Sequence, residues 1–351
     1  MNLRHEPWLK ISAELNEPDF NQKSEESGRR LSYAEAIHEA LDQALEFDPK
    51  VFILGQGVDD PSGIFGSTLN LHKKYGPDRV FDTPLAENGL MGIATGAAIG
   101  GMRPIYFHNR PDFLLLAMDQ LVNHASKWSY MFGGAVNVPL VVWACIGRGW
   151  GSAAQHSQAL QGLFMHVPGL KLIMPSTCYD SKGLLLSSIE DNNPVLIIDH
   201  RYNFKYQGFV PQRMYRVPIG KGVVRKTGKD ITLVAISYMM YETYKAAEEL
   251  AREGVDAEVI DLRTLRPFDE EIILNSVKKT GRLVVADCGW KTCGVCSEVM
   301  AVIAEKGFPF LKAPLRRVAT PDLPTPASYI LENAFYPDSS EILKAAREIL
   351  S

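Results

Sequence analysis

From residue 31 onward, short β-prone apolar runs recur between stretches of helical periodicity, and that alternation points to an α/β fold built on parallel sheets. The first helix signal is Ser32 with Glu35, a capping box ahead of a stripe of Ile37, Leu41 and Leu45 that stops near Pro49. The run VFIL at 51–54 reads as a strand. After it come a helix opening at Glu87, a long helix expected from Asp112 to about Met131, strands VPLVVWA and LKLIM, a helix through LLLSSI and the strand PVLIID. The segment HRYNFKYQGFVPQRMYRVPIG breaks the pattern with aromatic and basic residues and reads as a linker. Beyond it, ITLVAI, DAEVID, RLVVAD and LRRVAT are strands, separated by helices over 241–253, from Asp269 and after Gly294. The expected organisation is a polar arm over 1–30, a larger α/β domain over 31–200, a linker over 201–216 and a smaller α/β domain over 217–351.

Charge and apolar content narrow the function classes. The formal net charge of −4 gives no electrostatic reason to expect nucleic acid. No apolar run approaches the roughly 20 residues of a membrane span, and the N-terminal MNLRHEPWLK lacks the apolar core of a signal peptide, so a cytoplasmic protein without a membrane partner is expected. Five cysteines, an odd number, fit a reducing compartment rather than a disulfide framework. Neither half carries a G-x-G-x-x-G turn or a P-loop, so independent dinucleotide or triphosphate binding has no support.

Chemistry concentrates in two places. In the run from Asp82 to Pro104, DTPLAENGLMGIATGAAIGGMRP, Gly92, Gly96 and Gly100 share one helical face although each glycine costs about 1 kcal/mol of helix propensity. Close packing of another backbone on that face is the expected compensation, and Glu87 at the helix mouth is then a positioned acid. The second place is CIGRGWGSAAQHSQ at 145–158, where three glycines permit close approach to a ligand beside His156 and the loop leaves the carboxyl end of a strand. Cys288, Cys293 and Cys296 lack a fourth ligand nearby and read as thiols rather than a zinc site.

The runs DTPLAENGLMGIATGAAIGGMRPI, DFLLLAMDQLVNHASKWSYMFGG, VPLVVWACIGRGWGSAAQHSQ and HVPGLKLIMPSTCYDSKGLLLSSIEDNNPV resemble the β subunit of thiamine-diphosphate-dependent 2-oxo-acid dehydrogenases, as do VIDLRTLRPFDEEII and APLRRVATPDLPTPAS. The resemblance covers about residues 31 to 351. It implies a pyrimidine-binding domain followed by a transketolase C-terminal domain, in an α2β2 assembly. It places Glu87 on the glutamate that hydrogen-bonds N1′ of the aminopyrimidine, so that the cofactor becomes its own base. Phe113 matches the aromatic residue stacked on the pyrimidine, and His156 the histidine that positions the intermediate and serves transfer to a lipoyl arm. The GDG motif that holds the diphosphate and Mg2+ is missing here, so a partner α subunit is expected to supply it. The resemblance also suggests a K+ site of backbone carbonyls near Leu140, Ser188, Ile189, Asp191 and Asn193.

Three departures from that pattern bear on the substrate. The segment IYFHNRPDF places His108, Asn109 and Arg110 where the family has an acid and an apolar run, which makes the pocket more polar. Arg110 and Arg148 together are candidates to bind a phosphate or carboxylate bidentately, and structural ion pairs are the competing use of both. Gln56, in GQGV, stands where an acid is usual near the cofactor. Besides decarboxylation with acyl transfer to a lipoyl acyltransferase core, a transketolase-like transfer to a sugar or other carbonyl acceptor therefore stays open, and a non-catalytic interaction subunit is the third reading.

Overall fold

The computed structural model describes residues 28–149 and 151–351, so most of the polar arm lies outside the described residues. The described residues form two compact units, one of residues 28–145 and 167–219 and one of residues 146–149, 151–166 and 220–351. Through the first stretch the elements are β1 (Arg30–Ser32), α1 (Tyr33–Phe47), β2 (Val51–Gly55), α2 (Leu71–Tyr75), β3 (Val80–Phe81), α3 (Glu87–Ile99) and β4 (Arg103–Phe107). Then follow α4 (Pro111–Leu114), α5 (Trp128–Met131), β5 (Val141–Ile146), α6 (Gln161–Met165), β6 (Lys171–Ile173), α7 (Cys178–Glu190), β7 (Val195–His200) and β8 (Gln207–Phe209).

In the first unit the main sheet runs β6-β7-β5-β4-β2-β3, and the pairings of β2 with β3 and β4, of β4 with β5 and of β6 with β7 are parallel. β2, β5 and β7 are buried along their whole length, which is why they read as continuous apolar runs rather than alternating ones. The capping box forms as expected: Ser32 Oγ accepts from Glu35 N at 3.2 Å and Glu35 Oε2 accepts from Ser32 N at 2.7 Å. Ile37, Leu41 and Leu45 then enter the core, and α1 packs on α7.

Two expectations change. The long helix from Asp112 to Met131 is broken into α4, a 3-10 turn at Leu115–Ala117, a π-helix at Asp119–Ala125 and α5. Leu114, Ala117, Leu121 and Ala125 are buried at spacings of three and four, so one apolar side persists through the break while the wider π turn takes up extra backbone. The segment 201–216 is part of the first unit rather than a free tether. β8 pairs antiparallel with β1, Val210, Tyr215 and Val217 join the core, and the buried Lys182 ammonium donates to Pro211 O at 2.7 Å while pairing with Glu39.

A buried carboxylate ties the unit together: Asp199 Oδ1 accepts from Tyr33 Oη at 2.5 Å and Oδ2 accepts from Trp143 Nε1 at 2.6 Å. Burial pushes the Asp199 pKa up to about 6 despite these two donors. A folded pKa above the unfolded one means the native state holds the proton more tightly, so this contribution to stability is full below about pH 4 and is lost as pH rises through about 6. Asp199→Asn is expected to make the dependence of the urea midpoint between those values shallower. Some slope should remain, because burial also lifts Asp287 to about 6. Asp199→Ala should instead lower the midpoint at every pH, each stranded buried donor costing about 1–3 kcal/mol.

The second unit contains β9 (Val223–Lys226), β10 (Ile231–Ala235), α8 (Met239–Arg252), β11 (Ala257–Asp261), the short β12 (Thr264–Arg266), α9 (Glu270–Thr280), β13 (Leu283–Trp290), α10 (Val295–Lys306), β14 (Arg316–Thr320), α11 (Tyr329–Phe335) and α12 (Ser339–Leu350). Its sheet runs β14-β13-β10-β11-β9, parallel except for the edge strand β9. The expected helix starts hold: Asp269 caps α9 through Ile272 N at 3.3 Å, and Gly294 is the N-cap of α10. Among the described residues no helix is long and apolar enough to cross a membrane.

Candidate active site

The strand order places β3 on one side of β2 and β4 on the other, a topological switch point at whose carboxyl-end crevice open α/β sheets bind ligands. Three loops meet there and are stitched together. Asn109, following β4, donates from Nδ2 to Gln56 O after β2 at 3.3 Å, and Gly57 N donates to Asp82 Oδ1 after β3 at 2.7 Å. Gly57 has φ +73°, and a Cβ there would come within 2.9 Å of the Asp60 carboxylate, so glycine is required for this turn. Gln56 thus enters the site through its carbonyl.

Glu87 is the first residue of α3, half-buried, with its carboxylate at the positive end of the helix dipole. Its charge reaches Tyr106 of β4 and His108 just after it. Burial lowers the pKa of His108 while the Glu87 carboxylate pulls it back up, and the imidazole is held below its ordinary value. Burial lifts the Tyr106 phenol to about 12, with Glu87 adding to the rise, so that it keeps its proton. The two rings meet edge-on with centroids 5.5 Å apart. His108 Nε2, Asn109 Oδ1 and Thr83 Oγ1 are buried without a hydrogen-bond partner among the described residues. Orphaned polar atoms beside a half-buried acid fit a polar heteroaromatic ligand such as an aminopyrimidine.

The other candidates fall as follows. Phe113 lies half-buried in the first turn of α4, outside the apolar core. Arg110 donates from Nη1 to Cys145 O at 3.3 Å and lies 6.0 Å from the Phe65 ring, so part of its guanidinium has a structural use. Arg148 and His156 belong to the second unit; Arg148 sits 5.2 Å over the Tyr336 ring and His156 is exposed. Among the described residues the glycine face of α3 meets no backbone from another element: a Cβ at Gly92 would meet only the Gln120 side chain at 3.5 Å, at Gly96 nothing within 4 Å, and at Gly100 only carbonyls of its own helix, Ala97 O at 3.3 Å and Gly96 O at 3.4 Å. The expected close-packed backbone is therefore not found among the described residues.

The carbonyls considered for K+ already serve the fold. Ile189 O and Asp191 O accept from Arg103 Nη1 at 2.8 and 3.1 Å, Leu140 O accepts from Val195 N at 2.9 Å and Ser188 O from Asp191 N at 3.3 Å. Each of these oxygens keeps a second lone pair, so the bonds leave coordinating capacity, and the Arg103 guanidinium lies beside two members of the set. Among the described residues no three His, Cys, Asp or Glu side chains gather to hold a metal, and all five cysteines are free thiols, with Cys293 exposed.

Sequence reasoning passed over Tyr106, Asp82 and Thr83. Tyr106 was detectable, because it stands two residues before His108 at the carboxyl end of β4, and extended backbone puts alternate residues on one side. The roles of Asp82 and Thr83 depend on the pairing of β3 with β2, which a two-residue strand hardly announces.

A transketolase-type pair of domains accounts for this architecture. Residues 29–207 match the transketolase pyrimidine binding domain and residues 220–342 the transketolase C-terminal domain. The chain is 42% identical over 332 residues to the β subunit of an acetoin:2,6-dichlorophenolindophenol oxidoreductase of Cupriavidus necator, covering 92% of this chain and 98% of that one. It is 40% identical to the mitochondrial pyruvate dehydrogenase E1 component subunit beta of Dictyostelium discoideum (92% and 91% covered) and 38% identical to the 2-oxoisovalerate dehydrogenase subunit beta of Bacillus subtilis (91% and 98%). A solved split-gene transketolase, an inactive beta4 tetramer, shares the fold with a TM-score of 0.73 at 24% identity, covering 91% of this chain and 98% of that one. The chain belongs to the transketolase-like β subunits of thiamine-diphosphate-dependent 2-oxo-acid dehydrogenases.

Proposed function

We propose that this chain activates thiamine diphosphate for the decarboxylation of a 2-oxo acid, within an α2β2 enzyme that passes the acyl group to a lipoyl acyltransferase. The observation that carries the reading is the cluster of Glu87, Tyr106 and His108 at the switch point, lined with buried polar atoms that have no hydrogen-bond partner among the described residues. When bound, the cofactor supplies a carbon nucleophile and an electron sink for loss of carbon dioxide. Glu87 presents its carboxyl to the N1′ ring nitrogen and shares a proton with it. Phe113 offers a ring face to the pyrimidine, and the Gln56 carbonyl holds Asn109 in place.

His108 stays neutral and offers Nε2 to the substrate side, which with Asn109 and Arg110 makes a pocket suited to a 2-oxo acid bearing polar groups. Arg148 supplies charge for the carboxylate, and His156 serves proton and acyl transfer. The α partner holds Mg2+ and the diphosphate, consistent with the missing GDG motif. The open glycine face of α3, flanked by Leu85 and Ile93 at 80% and 63% exposure, is the surface this chain offers to a neighbouring subunit. The five free cysteines agree with a cytoplasmic location.

Coexpression with an α-type subunit, followed by assay with thiamine diphosphate, Mg2+ and a panel of 2-oxo acids, tests the reading. Carbon dioxide release coupled to reduction of 2,6-dichlorophenolindophenol is expected. Ketol transfer between sugar phosphates without carbon dioxide release would instead establish the transketolase-like alternative.

A further inference from the structure

The loop that carries Arg148 and His156 lies between β5 and α6, in the middle of the sequence of the pyrimidine-binding domain, yet it groups with the second unit. Its backbone offers little to hold it. Gly147, Gly149, Gly151 and Ala153 all have positive φ, at +107°, +106°, +65° and +54°, and residues 147–149 and 151–160 form no helix or strand. Such a segment is costly to order and must be fixed by contacts from outside itself.

Those contacts come from the C-terminal residues. The Glu332 side chain, in a residue only 2% exposed, reaches from α11 to accept the Gly149 N–H at 2.9 Å. On α11 the neighbours Tyr329, Ile330 and Leu331 are exposed, so the burial of a carboxylate among them calls for a use. One turn on, Tyr336 lies beneath the Arg148 guanidinium and donates from Oη to Ser157 O at 3.4 Å, one residue from His156. At the far end of the loop, Gln161 Nε2 donates to the buried Asp287 Oδ1 at 2.9 Å. Gly162 packs so tightly that a Cβ would come 3.1 Å from Cys293 O.

We infer that Glu332 and Tyr336 are positioning residues, and that the C-terminal domain acts as a clamp that holds the Arg148–His156 loop in its working conformation. Glu332 fixes the loop at Gly149, near its start, and Tyr336 fixes it at Ser157, beside the histidine. The activity arm of the test below rests on the function proposed above, whereas the proteolysis arm does not.

Glu332→Ala removes the acceptor for Gly149 N–H, and Glu332→Gln retains one. In the full chain, tryptic cleavage after Arg148 is expected to rise about tenfold in Glu332→Ala, with cleavage after Lys205 and the urea midpoint little changed, and to return close to wild type in Glu332→Gln. In the assembled enzyme kcat should fall about tenfold or more in the alanine variant with KM for thiamine diphosphate nearly constant, and recover in the glutamine variant. Tyr336→Phe should show the same pattern more weakly, since it keeps the ring under Arg148. Unchanged cleavage after Arg148, or a rise shared equally by Lys205, would overturn the clamp. Increased cleavage after Arg148 in a chain without any 2-oxo-acid activity would uphold the clamp and remove the proposed function.

Discussion

Glu87→Gln is expected to leave the chain folded and assembled while lowering turnover by about a hundredfold or more, the usual scale for loss of a positioned acid. The substitution is nearly isosteric and Glu87 is only half-buried, so the fold loses little beyond the helix-dipole interaction of about 0.3–1 kcal/mol. What changes is the proton that the side chain can share. An independent signature accompanies it. The Glu87 carboxylate raises the pKa of His108 against the larger effect of burial, so neutralising it should move the His108 titration further down. NMR titration of the imidazole with the assay of the assembled enzyme checks both. Wild-type turnover in Glu87→Gln would remove the acid from the mechanism, and an unmoved His108 titration would show that the two side chains do not interact.

The largest stability loss is expected in the second unit. Asp261 ends β11 with its side chain fully buried, accepting from Arg225 Nη2 at 2.9 Å, Arg225 Nε at 3.2 Å and Arg263 N at 3.2 Å. The Arg225 side chain is 1% exposed on the edge strand β9, so Asp261→Ala takes the carboxylate from a guanidinium that water does not reach. Breaking a buried pair from one side costs about 3–5 kcal/mol, which a urea titration resolves readily. Removing both charges with an apolar pair, Asp261→Leu with Arg225→Met, should recover much of that loss, because the desolvation penalty of the ions disappears as well. A loss below about 1 kcal/mol for Asp261→Ala is the size expected of a solvent-exposed pair, and would mean that water enters the site.

Elements whose signal is local were legible beforehand. The Ser32–Glu35 box, the Ile37, Leu41 and Leu45 stripe and the buried strands all follow from residue spacing, because side-chain direction repeats every 3.6 residues in a helix and every two in a strand. Glu87 was legible for a similar reason, as an acid opening a helix of small residues. The break between Asp112 and Met131 was hidden because α, 3-10 and π turns accept nearly the same side chains and differ only in backbone hydrogen bonding. The segment over 201–216 looked like a linker because its aromatic and basic residues lack a period, although Val210 and Tyr215 are core residues.

The sequence by itself determined the kind of layers, the helix starts, the positions of Glu87, His108 and His156, and the family. Tertiary structure alone decided that Tyr106 and His108 share the field of Glu87, that four carbonyls considered for K+ are already engaged, two of them by Arg103, and that the loop of His156 is held by Glu332 and Tyr336, more than 170 residues away. The physical reason is range. Propensity, capping and periodicity act over a few residues and are written in spacing. Burial, electrostatic coupling and the pairing of orphaned polar groups depend on which distant segments meet, and those meetings exist only once the chain has folded.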